Sequence, residues 1–170
     1  MSRLSSPKDE AVSFVPEQSI REQIQDRFQQ VQQRLQSLIG DVEIHHIGST
    51  AIPNALTKGD LDVQIRIERS RYEQAKDVLM AAFSVNEGAF SGDDGISFED
   101  YSEDVPAGVH LTVIDGACDL QSKFRDRLLA SAALQREYDD LKRSFEGGSM
   151  AEYRDAKEAF VLRVMPEFAE

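Results

Sequence analysis

Apolar residues at Ile20, Ile24, Phe28, Val31, Leu35 and Leu38 recur every three to four positions, one stripe of an amphipathic helix. The pattern begins at Pro16 and Gly40 supplies the expected C-terminal cap. VEIHHI (42–47) reads as a short strand, and GSTAIPNALTKG (48–59) as a loop punctuated by Gly48, Pro53, Asn54 and Gly59. LDVQIRI (61–67) alternates, with Leu61, Val63, Ile65 and Ile67 on one face and Asp62, Gln64 and Arg66 on the other. Ser70 with Glu73 forms an expected capping box for a helix whose apolar face is Tyr72, Ala75, Val78, Leu79 and Phe83.

SVNEGAF, ISFEDY and VHLTVI read as three further strands, with SGDDG (91–95) as a hairpin turn. The remainder is helical. Asp119 is expected to open a helix through Leu129, and Leu134, Tyr138, Leu141 and Phe145 stripe the next, ended by Gly147-Gly148. Ser149 with Glu152 caps a last helix that turns Met150, Tyr153, Phe160, Val161 and Val164 inward. The order predicts an α+β (mixed α/β) fold with one sheet. Residues 1–15 read as a flexible N-terminal arm and 16–170 as a single domain.

Charge narrows the choice of partner. The 19 Lys and Arg against 31 Asp and Glu leave a net charge of −12, which repels a phosphate backbone and argues against a nucleic-acid partner. A small phosphate-bearing ligand carried in with a divalent metal stays compatible with that charge. The single cysteine, Cys118, excludes an intramolecular disulfide. With no run near the ~20 apolar residues of a membrane span, the expectation is a cytoplasmic protein without a membrane partner. No Lys or Arg stands between Lys76 and Lys123. The acidic 87–104 region within that gap is either a solvated hairpin or a seat for a protein partner.

The chemistry concentrates in residues 45–65. Asp60 and Asp62 stand two apart at the start of a strand, so both aim at one point ~7 Å apart along the chain. Mg²⁺ or Mn²⁺ takes such oxygen ligands, with substrate phosphates completing the shell. The Gly48-Ser49 turn beside them offers close backbone approach, N–H donors and a hydroxyl. Tyr153 and Lys157, four apart, share a helix face that can reach a phosphate. His45 and His46 are adjacent, face opposite sides of a strand and cannot share one metal. His110, in an apolar strand, reads equally as a core histidine or a metal ligand.

Gly48-Ser49, ten residues, then Asp60-x-Asp62 resembles the signature of the nucleotidyltransferase superfamily, the DNA polymerase β-like fold. HIGSTAIP (46–53) with Lys58 resembles the GrpB family more specifically. His110 in VHLTVI, FRDRLL, EYDDLKR and Tyr153-x-x-x-Lys157 agree, over roughly residues 14–165. The resemblance implies a small mixed sheet flanked by helices with a cleft over the acidic strand. It implies Asp60 and Asp62 as catalytic and metal-binding residues. It places Gly48, Ser49, Thr50, Lys58, Tyr153 and Lys157 around a nucleoside triphosphate, with His110 as a further metal ligand. The implied activity is transfer of a nucleotide to a small molecule or protein. The alternative is a non-catalytic nucleotide-binding or accessory domain linked to coenzyme A synthesis.

Active transferases of this type bring a third carboxylate from a neighbouring strand. Here that strand offers His110, and Glu99 or Asp100 is the alternative source. Mutual repulsion of Asp60 and Asp62 further predicts that Asp62→Asn raises thermal stability slightly.

Overall fold

The computed structural model describes residues 11–169. The chain runs β1 (Val15–Pro16), α1 (Arg21–Ile39), β2 (Glu43–Ile47), β3 (Leu56–Thr57), β4 (Leu61–Ile67), α2 (Arg69–Ala82) and β5 (Ser84–Val85). It continues through β6 (Ser91–Gly92), β7 (Gly95–Asp100), β8 (Ala107–Val113), α3 (Gln121–Leu129), α4 (Ala132–Ser144) and α5 (Met150–Val164). The main sheet has the order β2-β4-β8-β7-β5, with β6 paired to β7, and β1 pairs β3 apart from it. Among the described residues only β4 and β8 are parallel, and every other pairing is antiparallel.

Alternation along β4 puts Leu61, Val63, Ile65 and Ile67 against α1 and α2, where they meet Val31, Leu35, Tyr72 and Leu79 in the larger core. Each such side chain contributes about 1.5–3 kcal/mol by leaving water. A second core holds Ile52, Leu128, Tyr138, Phe160, Val164 and Met165, gathered from α3, α4, α5 and the loop after β2. The opposite face of β4 is polar, carrying Asp62, Gln64 and Arg66.

The structure departs from the pattern at several places. Pro16 pairs with Leu56 and a short 3-10 turn follows, so α1 starts only at Arg21. The first ten residues of the expected arm lie outside the described residues. From Ala11 on, the chain is docked: Val12 is fully buried and its backbone pairs with Gly147 and Gly148. Ser70 caps nothing, because α2 begins at Arg69 behind an extended Glu68. Asp119 does not open α3 either. Its carboxylate is buried and accepts from Arg66 and Gln64 on β4 and from the Asp115 N–H. The strand expected over 84–90 shrinks to Ser84–Val85, and the hairpin narrows to a turn at Asp93-Asp94. Ser149 is the N-cap of α5 as its spacing indicates, accepting from the Glu152 N–H at 3.3 Å.

Candidate functional site

Gly48 ends β2 with φ +75°, a backbone that side chains disfavour, and throws the chain into a short turn over Ser49–Ala51. The Ser49 hydroxyl donates to Thr57 Oγ1 at 2.9 Å, and the Gly59 N–H donates to the same oxygen at 3.1 Å. Thr57 therefore ties both ends of the loop. Gly59, at φ +97°, turns the chain into Asp60 and β4. Register sets Asp62 between Ile47 of β2 and Gly108 of β8.

The Asp62 carboxylate lies between two glycines. A Cβ at Gly108 would stand 2.6 Å from Oδ1, and one at Gly48 would stand 2.7 Å from Oδ2. His110 Nε2 lies 3.3 Å from Oδ1, its Nδ1 lies 2.7 Å from Ser97 Oγ, and its ring stacks on Phe90. Burial works to raise the Asp62 pKa. The hydrogen bond and charge of His110 outweigh it with help from Lys157 and Lys58, and the net shift is downward. Lys58 Nζ stands 3.7 Å from Asp60 Oδ2.

These groups line one cleft of about 280 Å³. Its polar lining is Ser49, Lys58, Asp60, Asp62, His110 and Lys157, and its apolar and aromatic lining is Ile52, Phe124, Leu128, Tyr138, Tyr153 and Val161. Burial raises the pKa of both tyrosines, so their hydroxyls stay protonated at neutral pH. With Arg125 included, three cationic side chains line the cleft against two carboxylates, an inversion of sign in a chain of net charge −12. Such a cleft attracts an anion.

Eight of the nine residues expected at the site come together here, Gly48 among them. Thr50 does not. It is buried on the far side of its turn, where its hydroxyl meets His46 Nε2 at 2.9 Å and reaches the Asp60 carbonyl at 3.4 Å. His46 is a packing residue, stacked on Phe28, with its pKa lowered by burial. Neither alternative third acid lines the cleft. Asp100 faces α1, where Arg27 and Arg34 hold it at 3.0 and 3.1 Å. Glu99 accepts from the Tyr101 hydroxyl instead. Burial and then Asp94 push the Cys118 thiol up to about 12, which leaves it a poor nucleophile.

Phe14 and Gln121 line the cleft without a prior signal in the sequence, and Arg125, though part of the FRDRLL segment, was not expected there. Arg125 donates to the His46 carbonyl at 2.7 Å, bringing α3 to the edge strand. Among the described residues, no group of three or more His, Cys, Asp or Glu is placed to hold a metal ion. The three-ligand set expected of Asp60, Asp62 and His110 is therefore not assembled; His110 is bonded through its two ring nitrogens to Asp62 and Ser97.

The fold, a mixed sheet with its acid-bearing strand between an antiparallel edge strand and a parallel neighbour and a Gly-Ser turn feeding the cleft, is similar to that of nucleotidyltransferases. It resembles the Cid1 poly(U) polymerase bound to MgATP with a TM-score of 0.50 at 14% identity, over 72% of this chain and 40% of that one. The chain belongs to the GrpB family, whose model, described as GrpB protein, matches residues 18–167. The crystal structure of the conserved protein GrpB from Enterococcus faecalis is similar at a TM-score of 0.67 and 19% identity, covering 92% of this chain and 99% of that one. A UPF0157 protein of Vibrio cholerae is 35% identical over 132 residues, 76% of this chain and 69% of that protein. No helix among the described residues is long and apolar enough to cross a membrane.

Proposed function

We propose that the cleft binds a nucleoside triphosphate and transfers its nucleotide to a small molecule or protein. The observation that carries this reading is the meeting of Asp60, Asp62, Ser49, Lys58 and Lys157 in one cleft, on the fold of a polymerase that binds MgATP. Lys58 and Lys157 attract the phosphate tail, and the Ser49 turn presents backbone to it. A single Mg²⁺ or Mn²⁺ on Asp60 and Asp62 would neutralise phosphate charge. An acceptor oxygen bonds to the α-phosphorus, the α-phosphorus to bridging-oxygen bond breaks, pyrophosphate leaves, and the acceptor's proton passes to solvent.

A second reading, a non-catalytic nucleotide-binding or accessory domain, is favoured by a specific observation. His110, not a carboxylate, occupies the neighbouring strand, and the three-ligand set is absent among the described residues. One experiment separates the two readings. Thermal shift with nucleoside triphosphates and Mg²⁺ or Mn²⁺ comes first. Ligand at 100 times its dissociation constant adds about 2.7 kcal/mol, a rise of roughly 5–10 °C for a chain of this size. Pyrophosphate release across an acceptor panel then marks a transferase, and stabilisation without release marks the accessory domain. No stabilisation by any triphosphate refutes both.

A further inference from the structure

Outside the cleft lies a buried cation that the proposed reaction does not use. Lys142 on α4 is 1% exposed. Its ammonium donates to the Leu56 carbonyl at 2.6 Å, stands 3.4 Å from Asp139 Oδ1, and lies 4.1 Å from the centroid of the Tyr138 ring. Asp139 Oδ1 in turn accepts from the Leu56 N–H at 3.0 Å. Two side chains one turn apart on a helix thus grip both backbone groups of a single residue of β3.

That residue is well placed to matter. Thr57, the next in the chain, receives the Ser49 hydroxyl and the Gly59 N–H on its own hydroxyl. Lys58 and Asp60 flank Gly59 and line the cleft. We infer that Asp139 and Lys142 are positioning residues for the cleft, holding Leu56 from α4 and so setting where Ser49, Lys58 and Asp60 stand. The nucleotide reading enters here only through the ligand used to test it.

The grip is titratable. Burial drives the Lys142 ammonium down to about 8; Asp139 on the same helix opposes that, and Lys157 on α5 adds to it. Tyr138, below the ammonium, is kept neutral by its own burial. Above about pH 8 the ammonium loses its charge and its attraction to Asp139. Linkage gives global stability the opposite sign. An unfolded lysine titrates near ~10.4, so between about pH 8 and 10 the unfolded chain binds more protons and this group makes the fold more stable as pH rises. Affinity lost over that window therefore does not come from unfolding.

The test uses the full chain as wild type, Lys142→Met and Asp139→Asn, with two readouts: native-state amide exchange and MgATP affinity by calorimetry. In Lys142→Met the Leu56 and Gly59 amides, bonded to Asp139 and Thr57, should exchange at least ~10-fold faster while those of β4 and α4 hold. MgATP affinity should fall ~10-fold, and the wild-type loss of affinity through about pH 8 should disappear. Asp139→Asn keeps an acceptor for the Leu56 N–H but removes the charge that supports Lys142, so the break in the pH profile should move to lower pH. This variant also carries the test if Lys142→Met fails to fold. Unchanged loop exchange in a folded Lys142→Met, or a pH break that Asp139→Asn leaves in place, overturns the inference. If wild-type protein takes no MgATP, the nucleotide reading falls while the exchange result still decides the grip.

Discussion

Gly108→Ala should separate the cleft from the fold. Gly108 lies in β8 opposite Asp62 and Glu99 and is not one of the glycines with positive φ, so alanine suits its backbone. Replacing a strand glycine by alanine gains about 0.5–1 kcal/mol. Against that, the new methyl would stand 2.6 Å from Asp62 Oδ1 and 3.3 Å from His110 Nε2, so the carboxylate must swing away. An off-rotamer aspartate costs about 0.5–1.5 kcal/mol. Its hydrogen bond to His110 is worth ~1.5 kcal/mol, and water replaces part of it because the Asp62 side chain is 29% exposed. The net change is a loss of about 0–2 kcal/mol, or less than ~8 °C in Tm. The carboxylate, however, no longer points where a cation or phosphate meets it, and MgATP affinity should fall at least ~10-fold. Thermal melts with and without MgATP measure both quantities. Wild-type affinity in Gly108→Ala refutes the role of Asp62, and a loss of stability beyond ~4 kcal/mol shows that Gly108 holds the fold instead.

Gly48→Ala should behave differently, losing about 1–3 kcal/mol as well as ligand, because φ is +75° there; chemical denaturation measures the difference between the two glycine variants. Asp62→Asn should lower Tm slightly at pH 7, by about 1 kcal/mol of stability, against the rise that carboxylate repulsion alone predicts, because His110, Lys157 and Lys58 already stabilise the charge. Since the Asp62 pKa is lowered in the fold, its contribution is complete above the unfolded carboxylate range and lost as pH falls; an acid titration of Tm should show the mutant converging on wild type. Arg27→Met should cost about 3 kcal/mol in urea denaturation, because it strips a partner from Asp100, whose side chain is 7% exposed. A loss under ~1 kcal/mol would mean that Arg34 alone satisfies that carboxylate.

Local pattern carried the elements and the position of the acidic pair. Period-two alternation in 61–67 put Asp62 opposite the apolar face, and a Gly-Ser turn ten residues before Asp60 marked the loop, because side-chain direction in a strand is a local property. The same reasoning located the face of α5 that brings Tyr153 and Lys157 to the cleft. What local pattern could not carry was pairing across the sheet. Asp100 and Glu99 are neighbours on one strand, and only the α1 face, with Arg27 73 residues away in the chain, decides that Asp100 is a core ion pair. Asp119 looked like a helix cap because an aspartate before a helix usually is one; the polar face of β4, carrying Arg66 and Gln64, drew it inward. Thr50 sat in the right motif, but a 3-10 turn points successive side chains in different directions, and its hydroxyl went to His46. Phe14, Arg125 and Lys142 gave no periodic signal, since each acts through contacts whose partners are set by how α3, α4 and the N-terminal segment pack on the loop. Sequence determined which residues could do chemistry here; long-range packing decided which of them share a cleft.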